Sequence, residues 1–202
     1  MTPPIRSRRW LVASAALLAL LFSQGVAAGP VADHLKATVD RALKSLDDLG
    51  LKADTTPEER RQAFREIGNT LFDWTEMARR SLGRHWQTRT PGEREEFAAL
   101  LGGLLEHAYL SKIERYGGAK ILYTGETVEG DQATVRTKAV SKQGQEVPID
   151  YRMIQRGERW LVYDVVIEGI SLVSNYRTQF DKIIQASSYQ ELVRRLKAQS
   201  RS

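Results

Sequence analysis

The chain has 202 residues, is 42% apolar and 27% charged, and contains no cysteine. That length fits one domain with an appended segment, and a chain of this size buries about 70% of its unfolded surface without cross-links. The lack of cysteine excludes disulfide frameworks, thiolate zinc sites, thiol catalysis and lipid attachment at an N-terminal cysteine.

The N-terminal segment reads as an export signal. Arg6, Arg8 and Arg9 precede an apolar run from Trp10 to Phe22, and Val26-Ala27-Ala28 supplies the small residues of a cleavage site. The 13 apolar residues span about 20 Å as a helix, against about 30 Å for a hydrocarbon core, so the segment is too short for an anchor. We expect a cleaved signal peptide over residues 1–28 and one domain over 29–202. Ser7-Arg8-Arg9-Trp10-Leu11-Val12 partly resembles a twin-arginine signal, but an ordinary basic segment explains it more simply. Removing residues 1–28 leaves 27 basic against 25 acidic residues. A nearly balanced domain with interspersed signs is a poor nucleic-acid binder, so no nucleic-acid partner is expected.

Helical patterns fill the first half. Pro30 suits a first turn, and Val31, Leu35, Val39, Leu43, Leu46 and Leu49 recur at helical spacing up to Gly50. Thr56-Pro57-Glu58-Glu59 is a capping box that opens a second helix containing Ala63, Phe64 and Ile67, with a break or a bend expected at Gly68-Asn69. Asp73 caps a short helix through Met77 and Leu82 to Gly83. Thr90-Pro91-Gly92-Glu93 opens the longest helix, Pro91 to Arg115, with Phe97, Leu100, Leu101, Leu104, Leu105, Ala108, Tyr109 and Ile113 as its apolar set; Gly117-Gly118 stops it.

Period-two patterns follow. Lys120–Val128, Ala133–Ser141, Glu146–Gln155 and Arg159–Glu168 read as four strands, joined by turns at Gly130-Asp131, Gln143-Gly144 and Arg156-Gly157-Glu158. Ser171–Ser187 and Tyr189–Gln199 close the chain as helices. Helices followed by strands argue α+β: helices packed on one face of a curved, antiparallel four-stranded sheet, an NTF2-like cone that can leave an apolar pocket between the layers, although periodicity does not separate such a pocket from a filled core. Nothing signals an obligate oligomer, so a monomer is expected.

Catalytic patterns are sparse. His34, His85 and His107 lie on separate helices without metal-ligand spacing, and Gly169-Ile170-Ser171-Leu172-Val173 lacks the last glycine of a nucleophile elbow. Neither metal nor cofactor is expected. An enzyme remains the competing class, with Tyr151 or Tyr163 and Asp164 exchanging a proton in an apolar pocket; a structural adaptor with a filled core is the third. Gly102-Gly103 inside the long helix reads as close helix packing or as room for a ligand. Asp164, on a strand of valine and isoleucine, is costly to bury unless Arg152 pairs with it.

Three stretches, in order, carry a resemblance: Met77-Ala78-Arg79-Arg80-Ser81-Leu82-Gly83-Arg84-His85-Trp86 with Thr90-Pro91, then Val147-Pro148-Ile149-Asp150-Tyr151-Arg152, then Trp160 to Phe180 through Glu168-Gly169-Ile170-Ser171. From about Leu35 to Leu196 the chain resembles the MlaC/toluene-tolerance family. The resemblance implies a periplasmic phospholipid carrier that shuttles glycerophospholipid between an outer-membrane lipoprotein–porin complex and the substrate-binding ring of an inner-membrane ABC transporter, maintaining outer-membrane lipid asymmetry. The phospholipid is then cargo rather than cofactor, and the carrier itself is no enzyme.

On that basis the lipid-binding residues are expected at Phe72, Met77 and Leu82 of the short helix, Leu101, Leu105 and Tyr109 of the long one, Val147, Ile149 and Tyr151 on one strand face, and Val173 and Tyr176 of the penultimate helix. The segment Asp73–Gly83 is a candidate gate, with Arg79, Arg80 and Arg84 free to meet an acidic partner or anionic lipid; the alternative is a fixed packing helix.

Overall fold

The computed structural model describes residues 29–50, 56–115 and 120–199. The expected signal peptide and the Gly117-Gly118 stop lie outside these residues, as do the side chains of Leu43, Leu46, Leu49, Phe64 and Ile113. Six helices flank one sheet: α1 (Pro30–Gly50), α2 (Pro57–Leu71), α3 (Trp74–Leu82), α4 (Pro91–Arg115), α5 (Leu172–Ala186) and α6 (Tyr189–Gln199), with a 3-10 turn at Gly83–Trp86.

The caps form as their residue types dictate. Thr56 and Glu59 satisfy each other's backbone N–H groups ahead of α2, Asp73 accepts from the Glu76 N–H at α3, and Ser171 accepts from the Ser174 N–H at α5. Gly68-Asn69 does not break α2, which continues to Leu71. The glycine there serves contact instead: a Cβ on Gly68 would lie 3.0 Å from the Trp74 ring.

The sheet is an antiparallel meander, β1 (Lys120–Glu129), β2 (Gln132–Val140), β3 (Glu146–Arg156), β4 (Arg159–Ile167) and β5 (Ile170–Ser171), in that spatial order. It therefore has five strands rather than four. The fifth is two residues long because Glu168 and Gly169, both at positive φ (50° and 82°), fold the chain back so that Ile167 pairs with Ile170. Two irregularities re-aim side chains. Register shifts leave Thr124 extra in β1 and Tyr163 extra in β4.

Helices cover both faces of the β3–β4 end, not one. Adjacent strand residues point to opposite faces, and Met153 packs with α1 and α2 while Ile154 packs with α3 to α6; Val162 and Tyr163 divide the same way. One cluster joins Val31, Ala32, Leu35 and Leu71 to Ala133, Val135, Met153, Val162 and Val165. The other is a helical bundle around Met77, Leu82, Phe97, Leu101 and Leu192. Glu126 of β1 ties down the start of α1 by accepting the Ala32 N–H at 2.7 Å.

Candidate functional site

Two polar junctions set the geometry. Asp164 is 2% exposed, and a carboxylate so deep needs every lone pair occupied. It accepts from Arg152 Nη1 at 3.1 Å, Ser171 Oγ at 2.6 Å and the Val173 N–H at 3.0 Å. These bonds fasten the first turn of α5 to β3 and β4 and place a negative charge at a helix N-terminus. The proton-transfer pair of an enzyme is not assembled. Asp164 is occupied, Tyr151 lies on the other sheet face, and the Tyr163 hydroxyl donates to Gln132 Oε1 at 3.1 Å.

The second junction holds α3. Phe72 forms a parallel bridge with Val162, and the Asp73 N–H donates to the Val162 carbonyl at 2.9 Å. Glu76 is buried and accepts from Arg79 at 2.6 and 2.8 Å and from Arg80 at 2.7 Å, with Arg156 at 3.6 Å. The hydrogen bond from Arg79 is the main force holding its carboxyl at about 2, against the pull of burial. Arg80 also lies over the Tyr163 ring, 3.9 Å from its centroid, and Arg84 joins His85 on Asp181. The three arginines expected to be free are thus paired within the molecule. Glu76, which the sequence did not single out, is the residue that pins the helix.

The eleven residues expected at the site do not converge on one place. Met77, Leu82, Leu101, Leu105 and Val173 are closely packed in the bundle, each at most 8% exposed. Tyr109 and Tyr176 border that bundle half-buried, their hydroxyls hydrogen-bonded to one another. Gly102 sits there beside Trp74, and a Cβ on it would lie 3.9 Å from the ring, an ordinary contact, so packing against Trp74 does not require a glycine. Phe72 touches both clusters. Ile149 and Tyr151 belong to the α1–sheet layer, and Val147 lies further along the same strand face, half-buried and in neither cluster.

In that layer a run of apolar surface stays accessible. Beyond the buried Val31, Ala32 and Leu35, the next inward position of α1, Val39, is half-buried, as are Tyr123, Ile149, Tyr151, Ile167 and Leu172 around it. Tyr151 is nonetheless deep: burial alone pushes its phenol up to about 12. Burial likewise raises Tyr123, with the Tyr151 phenol and the Asp40 carboxylate adding to the shift. Surface that is deep, apolar and still accessible can take an apolar ligand, whereas a close-packed bundle must first expand. Tyr123, Val39, Ile167 and Leu172 were not singled out from the sequence. Alternation through Ile121 and Tyr123 points toward the same face, but the extra Thr124 breaks the pattern. No group able to hold a metal ion occurs among the described residues.

Comparison with known proteins agrees with this architecture. The family model described as "MlaC protein" matches residues 36–198. Among solved structures, a phospholipid-binding protein from Ralstonia solanacearum, determined in complex with a phospholipid, superposes with a TM-score of 0.74 at 22% sequence identity, covering 83% of this chain and 95% of that one.

Proposed function

The chain belongs to the MlaC protein family, and from that premise we propose that it is a periplasmic phospholipid carrier whose acyl-chain site lies between α1 and the sheet. The observation that carries this reading is the run of half-buried apolar residues, Val39, Tyr123, Ile149, Tyr151, Ile167 and Leu172, on one sheet face, opposite a bundle whose centre at Met77, Leu82, Phe97, Leu101 and Leu192 is closed. The phospholipid in the Ralstonia solanacearum structure of like fold supports it. Of the eleven residues expected from the sequence, Ile149, Tyr151, Val147 and Phe72 line the acyl chains in this proposal. Tyr109 and Tyr176 stand at its border with the bundle. Met77, Leu82, Leu101, Leu105 and Val173 form the rigid wall behind.

The chemistry needed is modest. Each buried methylene contributes about 0.8 kcal/mol, so a single acyl chain makes unassisted escape into water very unfavourable. Transfer then requires docking, and the partners are the outer-membrane lipoprotein–porin complex and the substrate-binding ring of an inner-membrane ABC transporter. Residues 1–28 direct export and are removed. The carrier catalyses no reaction.

Denaturing extraction of protein purified from a bacterial host without detergent tests the reading. Mass spectrometry is expected to return mixed phosphatidylethanolamine and phosphatidylglycerol near one lipid per protein. An extract free of phospholipid overturns the proposal.

A further inference from the structure

The face of the sheet beneath α1 carries few polar side chains, and most have partners. Thr137, 2% exposed, donates to the Ile149 carbonyl at 2.7 Å, and Glu126 accepts from α1. On α1, Thr38 donates to the His34 carbonyl and accepts from Arg41. The hydroxyls of Tyr151 and Tyr123 differ. Neither has a hydrogen-bond partner among the described residues, and neither is sealed from contact, since the only buried unpaired side-chain polar atoms there belong to Arg89 and Arg94.

Register places the two on one face, on the strands either side of β2 and so about 10 Å apart across the sheet at the backbone. Tyr151 sits opposite Val135 on β2, and Tyr123 opposite Thr137, two residues further along the same strand and on the same face. Tyr123 feels both the Tyr151 phenol and Asp40. Loading with lipid takes these accessible hydroxyls out of water, and a ligand that offers an acceptor spares them from being left unpaired. The acceptor is expected to be neutral, because the Asp40 carboxylate nearby opposes an anionic phosphate and its cation, Lys36, is already paired with it.

We infer that the hydroxyls of Tyr151 and Tyr123 donate to an ester carbonyl of the bound phospholipid, so that the site prefers acyl-ester lipids over ether-linked lipids with the same chains and head group. This rests on the carrier reading. It deepens that reading by giving the apolar site a polar anchor at the junction of chain and glycerol.

The test is competitive loading. Purified protein is incubated with vesicles holding equal amounts of dipalmitoyl-phosphatidylglycerol and its dihexadecyl ether analogue, re-isolated, and the bound lipids quantified by mass spectrometry. One recovered hydrogen bond predicts about a fivefold enrichment of the ester in the wild type. Tyr151→Phe is expected to bring the ratio close to one and Tyr123→Phe to reduce it partly. Tyr163→Phe, whose hydroxyl faces Gln132 on the other side of the sheet, leaves the ratio as in the wild type. Infrared spectra of protein carrying lipid with 13C at the acyl carbonyl provide a readout free of mutation: a carbonyl stretch lowered relative to an apolar solvent is expected. Equal uptake of the two lipids by the wild type, or an ester preference surviving both tyrosine variants, overturns the inference and leaves the carrier reading intact. Uptake of neither lipid overturns both.

Discussion

The helical bundle and the α1–sheet layer are built from the same residue types and behave differently. In the bundle, Phe97 meets Phe180 edge-on with centroids 5.6 Å apart, Tyr176 stacks on Phe180 at 5.5 Å, and Met77, Leu82, Leu101 and Leu192 are fully enclosed. In the layer, α1 is fastened at its start through Glu126, while Val39 and the strand residues Tyr123, Ile149, Tyr151 and Ile167 keep accessible surface. One region is a finished core. The other is an apolar surface still able to receive a partner. The contrast teaches that a carrier needs both: a wall that does not yield and a face that is left incomplete.

Four experiments break or sharpen the contrast, in decreasing order of their expected effect on stability. Leu101→Ala removes a fully buried side chain from the bundle, and a loss of about 4 kcal/mol is expected from denaturant unfolding. Lipid content per folded molecule is expected to stay as in the wild type. A stability loss below ~1 kcal/mol means the bundle is loosely packed and the distinction fails.

Asp164→Ala leaves the Val173 N–H, the Ser171 hydroxyl and Arg152 without their shared acceptor. About 2–3 kcal/mol is expected, less than for a fully enclosed ion pair because Arg152 is half-exposed. Hydrogen exchange should show the loss concentrated in the first turns of α5. Uniform weakening throughout the chain contradicts the junction's role.

Glu76 predicts a pH dependence whose sign follows from its lowered pKa. Its carboxyl sits at about 2 when folded and near 4.5 when unfolded. The stability it contributes is therefore present above pH ~4.5 and is lost as pH falls toward about 2. The contribution is about 2 kcal/mol after allowing for the partly exposed Arg79 and Arg80. Glu76→Gln is expected to be less stable at neutral pH and to flatten the stability curve between pH 4.5 and 2. A curve parallel to that of the wild type removes Glu76 as the pin of α3.

Ile149→Glu is the mildest of the four for stability and the most severe for cargo. The residue already has accessible surface, so the carboxylate reaches solvent more cheaply than in a sealed core, and a cost near 1 kcal/mol is expected. Co-purifying phospholipid is expected to fall to less than a tenth. If the variant instead unfolds, Ile149 is ordinary core; unchanged lipid content moves the site away from the α1 face.

Much of the fold is written locally. Capping residues Thr56, Asp73, Thr90 and Ser171 start their helices as local hydrogen bonding requires, and the hairpin turns fall where the glycines stand. The pairing of Arg152 with Asp164 was also legible, because a carboxylate on an apolar strand demands a cation on its neighbour. So was the family, through three motifs in order. The pairing of Arg84 with Asp181 was not legible, because a helix sequence shows neighbours along the chain but not partners arriving from elsewhere; Glu76, three and four residues before Arg79 and Arg80, was within reach of a local reading.

The candidate site is the part that only tertiary structure decided. Periodicity states that Met77 and Ile149 each face inward, and it states this identically for both. Whether the inward side meets the closed bundle or the α1 face depends on the extra residues Thr124 and Tyr163 and on the split of β3 and β4 between two helical layers. Hydrophobic patterning measures transfer out of water, which is nearly the same whether the apolar neighbour is a protein side chain or a lipid. Packing density, which does tell them apart, arises from contacts between segments distant in the chain.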